Sequence, residues 1–214
     1  MDISRVMTHN PFTVFVDTPV TDAQAMMRRE KIHRLPVLAH DKRLAGIVSE
    51  KDLLYASPSP ATTLDVYEMA NLLSKLKVEQ VMTRDVVTVE QETLLEDAAR
   101  IMVDANIGGL PVMSDGHLVG IVTESDIFKL FIELFGTRRT GLRCTLLIPE
   151  RVGELASLAS AIAEAGGNII SLGTFPGEDP TNAIATLKVD QIERAALLEA
   201  CSPFVEEVLD IRET

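Results

Sequence analysis

Ser49 and Asp52 stand three positions apart, and Thr123 and Asp126 repeat that spacing within "GIVSEKD" and "GIVTESD". A hydroxyl followed by a carboxylate behind a short apolar run suits two kinds of chemistry. In the first, the pair closes a capping box. The hydroxyl accepts an N–H of the first helical turn and the carboxylate reaches back to the cap's own N–H, contributing about 1 kcal/mol without any ligand. In the second, the unpaired N–H donors and partial positive charge of the helix start seat a phosphate that the hydroxyl joins. The aspartate then accepts two hydrogen bonds from a ribose diol, as acidic residues do in other nucleotide sites. Spacing alone leaves both open.

The elements that must hold these corners recur with them. "VMTHNPFTV" from Val6 matches "VMTRDVVTV" from Val81, "IHRLPVL" matches "IGGLPVM", and "LAGIVSEKDLL" matches "LVGIVTESDIF". The first two-thirds of the chain is therefore a duplicated unit, and two copies are expected to pack face to face. Each copy opens with a β-branched strand, "FTVFV" or "VVTVE". A helix follows, capped by Thr18 with Pro19 at its first position in copy one and by a Thr93–Glu96 box in copy two. Val20, Ala23, Met26 and Met27, then Leu95, Ala98, Ile101, Met102 and Ala105, keep a helical period. Two short apolar strands, "LPVL" and "LAGIV" in copy one, precede a second helix from Ser49 or Thr123. Each copy thus reads β-α-β-β-α. Between them Pro58 and Pro60 break regular structure. Leu64, Met69, Leu72, Leu73 and Leu76 then mark a connector helix that either packs across the pair or makes a dimer contact.

The C-terminal third changes pattern after "GTRRTG". "LRCTLLI" places Leu142, Cys144, Leu146 and Ile148 on one face, and a helix from about Val152 to Ala165 carries Leu155, Leu158, Ala159 and Ile162 on another. "GGN" ends that helix, since Gly fits the left-handed C-terminal position. Strands "IISLGTF" and "AIATLKV", helix "QIERAALLEAC" and strand "VEEVLDI" complete a ferredoxin-like β-α-β-β-α-β order.

Composition narrows the function classes. A net charge of −12 repels phosphate backbones, and 4% aromatic residues with no Trp leave few stacking platforms, so nucleic acid is not an expected partner. The cluster Arg28, Arg29, Lys31, His33 and Arg34 still leaves room for a small phosphate ligand. "IFKLFIELFG" is interrupted by Lys129 and Glu133 well short of a membrane span, and the start has no signal core, so no membrane association and a cytoplasmic location are expected. Cys144 and Cys201 read as buried packing residues, with a reactive thiol as the alternative. His9, His33, His40 and His117 form no H-E-x-x-H or Cys/His pattern, so no metal site is indicated. No phosphate-binding glycine loop and no G-x-S-x-G elbow occurs, so no catalytic residues are assigned and the chain is not read as an enzyme.

The duplicated unit, with "LPV" and a "GIVTESD"-type ending, resembles the CBS domain, and the tandem resembles a Bateman module. The resemblance implies two clefts about a pseudo-two-fold axis that bind an adenine nucleotide: AMP, ADP, ATP or S-adenosylmethionine. By position it puts Ser49 and Thr123 near phosphate, Asp52 and Asp126 on ribose, and Thr13, Val14, Thr88 and Val89 on the base side. His33 and Arg34 stand before "LPV" in copy one, where copy two has Gly108 and Gly109, so unequal affinities are expected. "PERVGELASLASAIAEAGGNIISL" resembles the ACT domain, with Val152 where that family often has Pro. This resemblance offers Gly153, Leu155, Asn168 and Ile169 for an amino-acid effector and implies pairing of two chains.

The expected chain is mixed α/β (α+β): repeats at 1–57 and 79–136, a linker with a connector helix at 58–78, and an ACT-like domain at 141–214. That order resembles the bacterial acetoin-utilisation accessory proteins. The function expected is a non-catalytic nucleotide sensor acting through a homodimer, with an acidic C-terminal third that presents a surface to a regulated protein partner. An assembly module without nucleotide, or an amino-acid sensor acting through the last domain, are the alternatives.

Overall fold

The computed structural model describes residues 1–56 and 75–214. The linker positions Pro58, Pro60, Leu64, Met69, Leu72 and Leu73, and with them the connector helix, lie outside the described residues. The chain divides into two compact units, Met1–Ile127 and Phe128–Thr214.

The first unit carries both repeats. Repeat one runs β1 (Thr8–His9), β2 (Val14–Phe15), α1 (Val20–Glu30), β3 (Arg34–Leu38), β4 (Leu44–Ser49) and α2 (Glu50–Tyr55). Repeat two runs β5 (Val89–Glu90), α3 (Leu95–Ala105), β6 (Gly109–Ser114), β7 (His117–Thr123) and α4 (Glu124–Leu134), whose last turns enter the second unit. In each repeat the first strand runs parallel to the second, and the second and third pair antiparallel. The parallel step needs a crossover, which α1 and α3 supply.

The repeats exchange their leading segments. Thr8 and His9 pair with Ile121 and Gly120 of β7, making the sheet order β1-β7-β6-β5. Thr83 returns the exchange, trading backbone hydrogen bonds of 2.9 and 3.0 Å with Ile47 of β4. This explains why "VMT" and "GIV" recur together. A Cβ on Gly46 would lie 2.5 Å from Met82 Sδ and 2.9 Å from Thr83 O, and one on Gly120 would fall on Met7 Sδ. Only glycine lets the exchanged strand approach so closely. Val78 and Met82 accordingly belong to the buried cluster of the first repeat, with Val14, Val37, Val48 and Leu53.

The exchange also corrects the expected caps of the crossover helices. α1 and α3 start at Val20 and Leu95, and neither Pro19 nor Leu94 before them makes a side-chain cap. Val20 N–H donates to Leu76 O at 2.9 Å and Leu95 N–H to Met1 O at 3.0 Å. The opposite repeat's leading chain takes the place of the hydroxyl caps. Thr18 Oγ1 instead accepts from Phe15 N–H at 3.0 Å, closing the strand-to-helix turn.

The second unit runs β8 (Leu142–Pro149), α5 (Glu154–Glu164), β9 (Asn168–Pro176), β10 (Asn182–Asp190), α6 (Arg194–Cys201) and β11 (Glu207–Glu213). Its sheet order is β11-β8-β10-β9 with every neighbouring pair antiparallel, the arrangement of a ferredoxin-like β-α-β-β-α-β chain. Leu142, Cys144, Leu146 and Ile148 face Leu158, Ile162, Leu197 and Cys201 in one core, as the alternation predicts. Gly166, at φ +87°, ends α5 in the left-handed region.

Candidate functional site

Both hydroxyl–carboxylate corners form. Asp52 N–H donates to Ser49 Oγ at 3.2 Å, while Asp52 Oδ2 accepts from Ser49 N–H at 2.8 Å and from Ser49 Oγ at 2.6 Å. At the second corner Asp126 Oδ2 accepts from Thr123 N–H at 3.0 Å and from Thr123 Oγ1 at 2.8 Å. The full capping box is present at Ser49, and the carboxylate half of it at Thr123. The box leaves part of Asp52 over: the carboxylate is half-buried, and among the described residues no group bonds its Oδ1. Asp126 is more deeply enclosed, at 8% exposure.

Asp52 opens onto a cleft of about 500 Å³ within the first unit, a volume in the range that small ligands occupy. Repeat one contributes His33, Arg34, Ile47, Ser49, Glu50 and Lys51 beside Asp52. Repeat two contributes two stretches: Thr83 with Asp85, Val86 and Val87 from the exchanged lead, and Asn106 to Gly109 from the end of α3. Its apolar lining is Ile47, Val86, Val87 and Ile107, and its polar lining includes the helix corner. Such a division fits a ligand with a flat apolar ring at one end and a sugar and anion at the other.

The structure brings Ser49, Asp52, His33 and Arg34 together at this cleft, and the other expected residues are not among its lining. Thr13, Val14, Thr88 and Val89 do not line this cleft, and Val14 and Val89 are only 4% and 6% exposed because they turn into the core. Their place is taken by Val86 and Val87, two and three residues earlier on the exchanged lead. Strand alternation could have separated the inward valines from their neighbours; the exchange that delivers Val86 to the other repeat's aspartate had no local signal.

Electrostatics distinguish the two residues before "LPV". His33 Nδ1 donates to Glu50 Oε2 at 2.9 Å, and both side chains are more than half exposed. Arg34 is half-buried, and a Cβ on Gly109 would lie 2.7 Å from its Nη1. Burial lowers the Arg34 pKa from its ordinary value while the nearby Glu124 carboxylate acts to raise it.

The four candidate residues of the second unit are not gathered within one chain. Gly153 and Leu155 open α5 and line a hollow of about 220 Å³, while Asn168 and Ile169 begin β9 beyond the other end of that helix. Asn168 Nδ2 donates to Asp190 Oδ1 at 2.8 Å, and Ile169 packs against the core. The hollow's charged pair is one that spacing did not reveal. Arg151 Nε donates to Glu154 Oε2 at 2.5 Å, and among the described residues the buried Glu154 Oε1 has no hydrogen-bond partner.

Burial pushes the thiols of Cys144 and Cys201 up to about 12 and about 11, so both stay protonated and unreactive at neutral pH. Among the described residues no helix is long and apolar enough to cross a membrane, and no group of three His, Cys, Asp or Glu side chains is placed to hold a metal.

Comparison with known proteins places these corners in a wider set. The structure of AcuB from Vibrio cholerae, described as an acetoin utilization protein, is 31% identical with a TM-score of 0.54, over 64% of this chain and 95% of that one. The CBS domain pair of MJ0100, solved with 5′-methylthioadenosine and S-adenosyl-L-methionine, is 26% identical with a TM-score of 0.51, over 65% and 98%. CBSX2, solved with AMP, is 31% identical with a TM-score of 0.52, over 62% and 97%. The CBS domain profile matches residues 3–59 and 78–133, more than half of the sequence, and the chain belongs to the CBS domain family.

Proposed function

We propose that the chain is a non-catalytic regulatory protein that senses an adenine nucleotide, AMP, ADP, ATP or S-adenosylmethionine, in the cleft at Asp52. One observation carries the reading: a half-buried carboxylate, steadied by its own cap through Oδ2, lines a cleft of about 500 Å³, and among the described residues no group bonds its Oδ1. Oδ1 is the acceptor for one ribose hydroxyl, with Oδ2 sharing the other. Ser49 and the first N–H groups of α2 face the anion, and Arg34 adds a planar cation suited to phosphate. The bound AMP of CBSX2 and the bound S-adenosyl-L-methionine of the MJ0100 pair support the ligand class. Thr123 and Asp126 are the counterpart for a second ligand, of different affinity.

A ligand regulates only if it binds one arrangement better than another. The proposed readout is a homodimer whose arrangement nucleotide biases, with the ferredoxin-like unit serving as an ACT-like pairing domain and presenting an acidic face to a regulated protein. The exposed apolar residues Leu172 and Phe175 of β9 and Val208 and Leu209 of β11, on the two edge strands, support pairing through this unit.

Thermal unfolding of the whole chain with each nucleotide tests the sensor: ligand at 100 times its dissociation constant adds about 2.7 kcal/mol to the native state. The response should vanish in Asp52→Ala. The rival reading, an assembly module in which both corners serve only as caps, is favoured by the complete box at Ser49 and the Asp126 carboxylate bonds to Thr123. It gains if no nucleotide shifts the transition while the oligomer persists.

A further inference from the structure

Glu50 and Glu124 hold matching first positions in α2 and α4. Glu50 is served within its own repeat by His33, at 2.9 Å. The residue matching His33 in repeat two is Gly108, which has no side chain to offer Glu124. Arg34 of repeat one reaches into that gap. A Cβ on Gly108 would lie 2.5 Å from Arg34 Nη2 and 2.6 Å from Glu124 Oε2, so guanidinium and carboxylate converge over bare backbone.

Arg34 and Gly108 also line the cleft at Asp52, whereas Glu124 does not. The other formal charges there leave an acidic excess, since Lys51 stands against Glu50, Asp52 and Asp85. Arg34, being half-buried, is the cation least screened by water. It therefore has two anions within reach, one belonging to the protein and one to an incoming ligand.

We propose that Glu124 is a built-in counter-anion to Arg34 that lowers affinity for phosphate-bearing ligands relative to their uncharged nucleosides. The inference rests on the nucleotide reading above. A phosphate entering the cleft must share Arg34 with the Glu124 carboxylate, which acts on it through space, and an uncharged nucleoside need not. The five N–H donors of a guanidinium allow sharing, which limits the penalty to a few-fold. Glu124 thereby sets the threshold concentration at which a phosphorylated effector is sensed.

Calorimetric titration of AMP and adenosine into the whole chain and into Glu124→Gln tests it. The amide should bind AMP about three- to fivefold more tightly with adenosine unchanged, and the gain should shrink in 1 M salt. Glu124→Ala, which also frees Arg34, should give the same pattern; in an Arg34→Gln background the Glu124 change should have no further effect. Equal AMP affinity with and without Glu124, or equal gains for AMP and adenosine, overturns the counter-anion role alone. Absence of binding by either ligand in every variant overturns it together with the nucleotide reading.

Discussion

Arg34 and Gly109 occupy matching places in the two repeats, and the Arg34 Nη1 atom lies 2.7 Å from where a Gly109 Cβ would stand. The matching positions are neighbours because the pair is built about a pseudo-two-fold axis, as the reciprocal pairing of Thr8 with Ile121 and Thr83 with Ile47 shows. Two arginines could not both fill that space. One repeat carries the long side chain and the other yields room, so the duplicated sequence had to diverge here.

Gly108→Ala tests this division of space. All three nearest atoms to the new Cβ are ends of the Arg34 and Glu124 side chains, so they can swing aside. The transition midpoint in urea should correspond to a loss within about 0.5 kcal/mol, as for other surface changes. AMP affinity should nonetheless change, because Arg34 is displaced. A large loss of stability with unaltered AMP binding would contradict the placement.

Gly46→Ala should behave in the opposite way. Its Cβ meets Thr83 O at 2.9 Å, a backbone atom held in the exchanged strand, as well as Met82 Sδ at 2.5 Å. The strand must move off β4, and overpacking of this kind costs about 1–3 kcal/mol. Chemical denaturation should show the loss, and adding Met82→Ala should not recover it, because the carbonyl clash remains and a cavity is added. Gly120→Ala, against Met7 and Thr8 O, should match it.

These glycines show what one sequence can and cannot disclose. The strand and helix order of each repeat follows from apolar period and β-branched runs, and the S/T-x-x-D pairs form at the expected corners. The caps at Thr18 and Thr93 do not form, because the needed acceptors arrive from Leu76 and Met1, whose carbonyls belong to a different part of the chain. Val14 and Val89, which the family resemblance puts on the base side, are buried in the core. Where local pattern decides, as at Ser49 and Asp52, reading is direct. Where the two repeats exchange segments, as at Val86, Val87 and Gly108, only tertiary structure brings the parts together.

Asp52 can be separated into its two roles. Asp52→Ala removes the carboxylate half of the capping box while the Ser49 hydroxyl keeps its bond to the backbone N–H, costing at most about 1 kcal/mol, and should abolish the adenosine response. Asp52→Asn retains one carbonyl oxygen, which can serve the cap or the sugar but offers fewer acceptors than a carboxylate. It should recover most of the cap's stability and bind adenosine at least about tenfold more weakly than the parent, the loss expected when a charged hydrogen bond becomes neutral. Calorimetry of both variants checks this; full adenosine affinity in either would remove the aspartate from the sugar site.

The buried thiols make the second unit sensitive to alkali. Cys144 and Cys201 face one core, and burial raises them from 9.0 to about 12 and about 11. A raised acid binds its proton more tightly in the folded state than in the unfolded one. Its contribution is full below pH 9 and fades as the solution passes through the folded values. Stability of the whole chain should therefore fall between about pH 9 and about pH 12, and the fall should flatten in Cys144→Ala with Cys201→Ala. Native protein should resist alkylation by iodoacetamide at pH 8 and take up two equivalents once unfolded in urea. Rapid labelling of folded protein would place a thiol at the surface and contradict the core assignment.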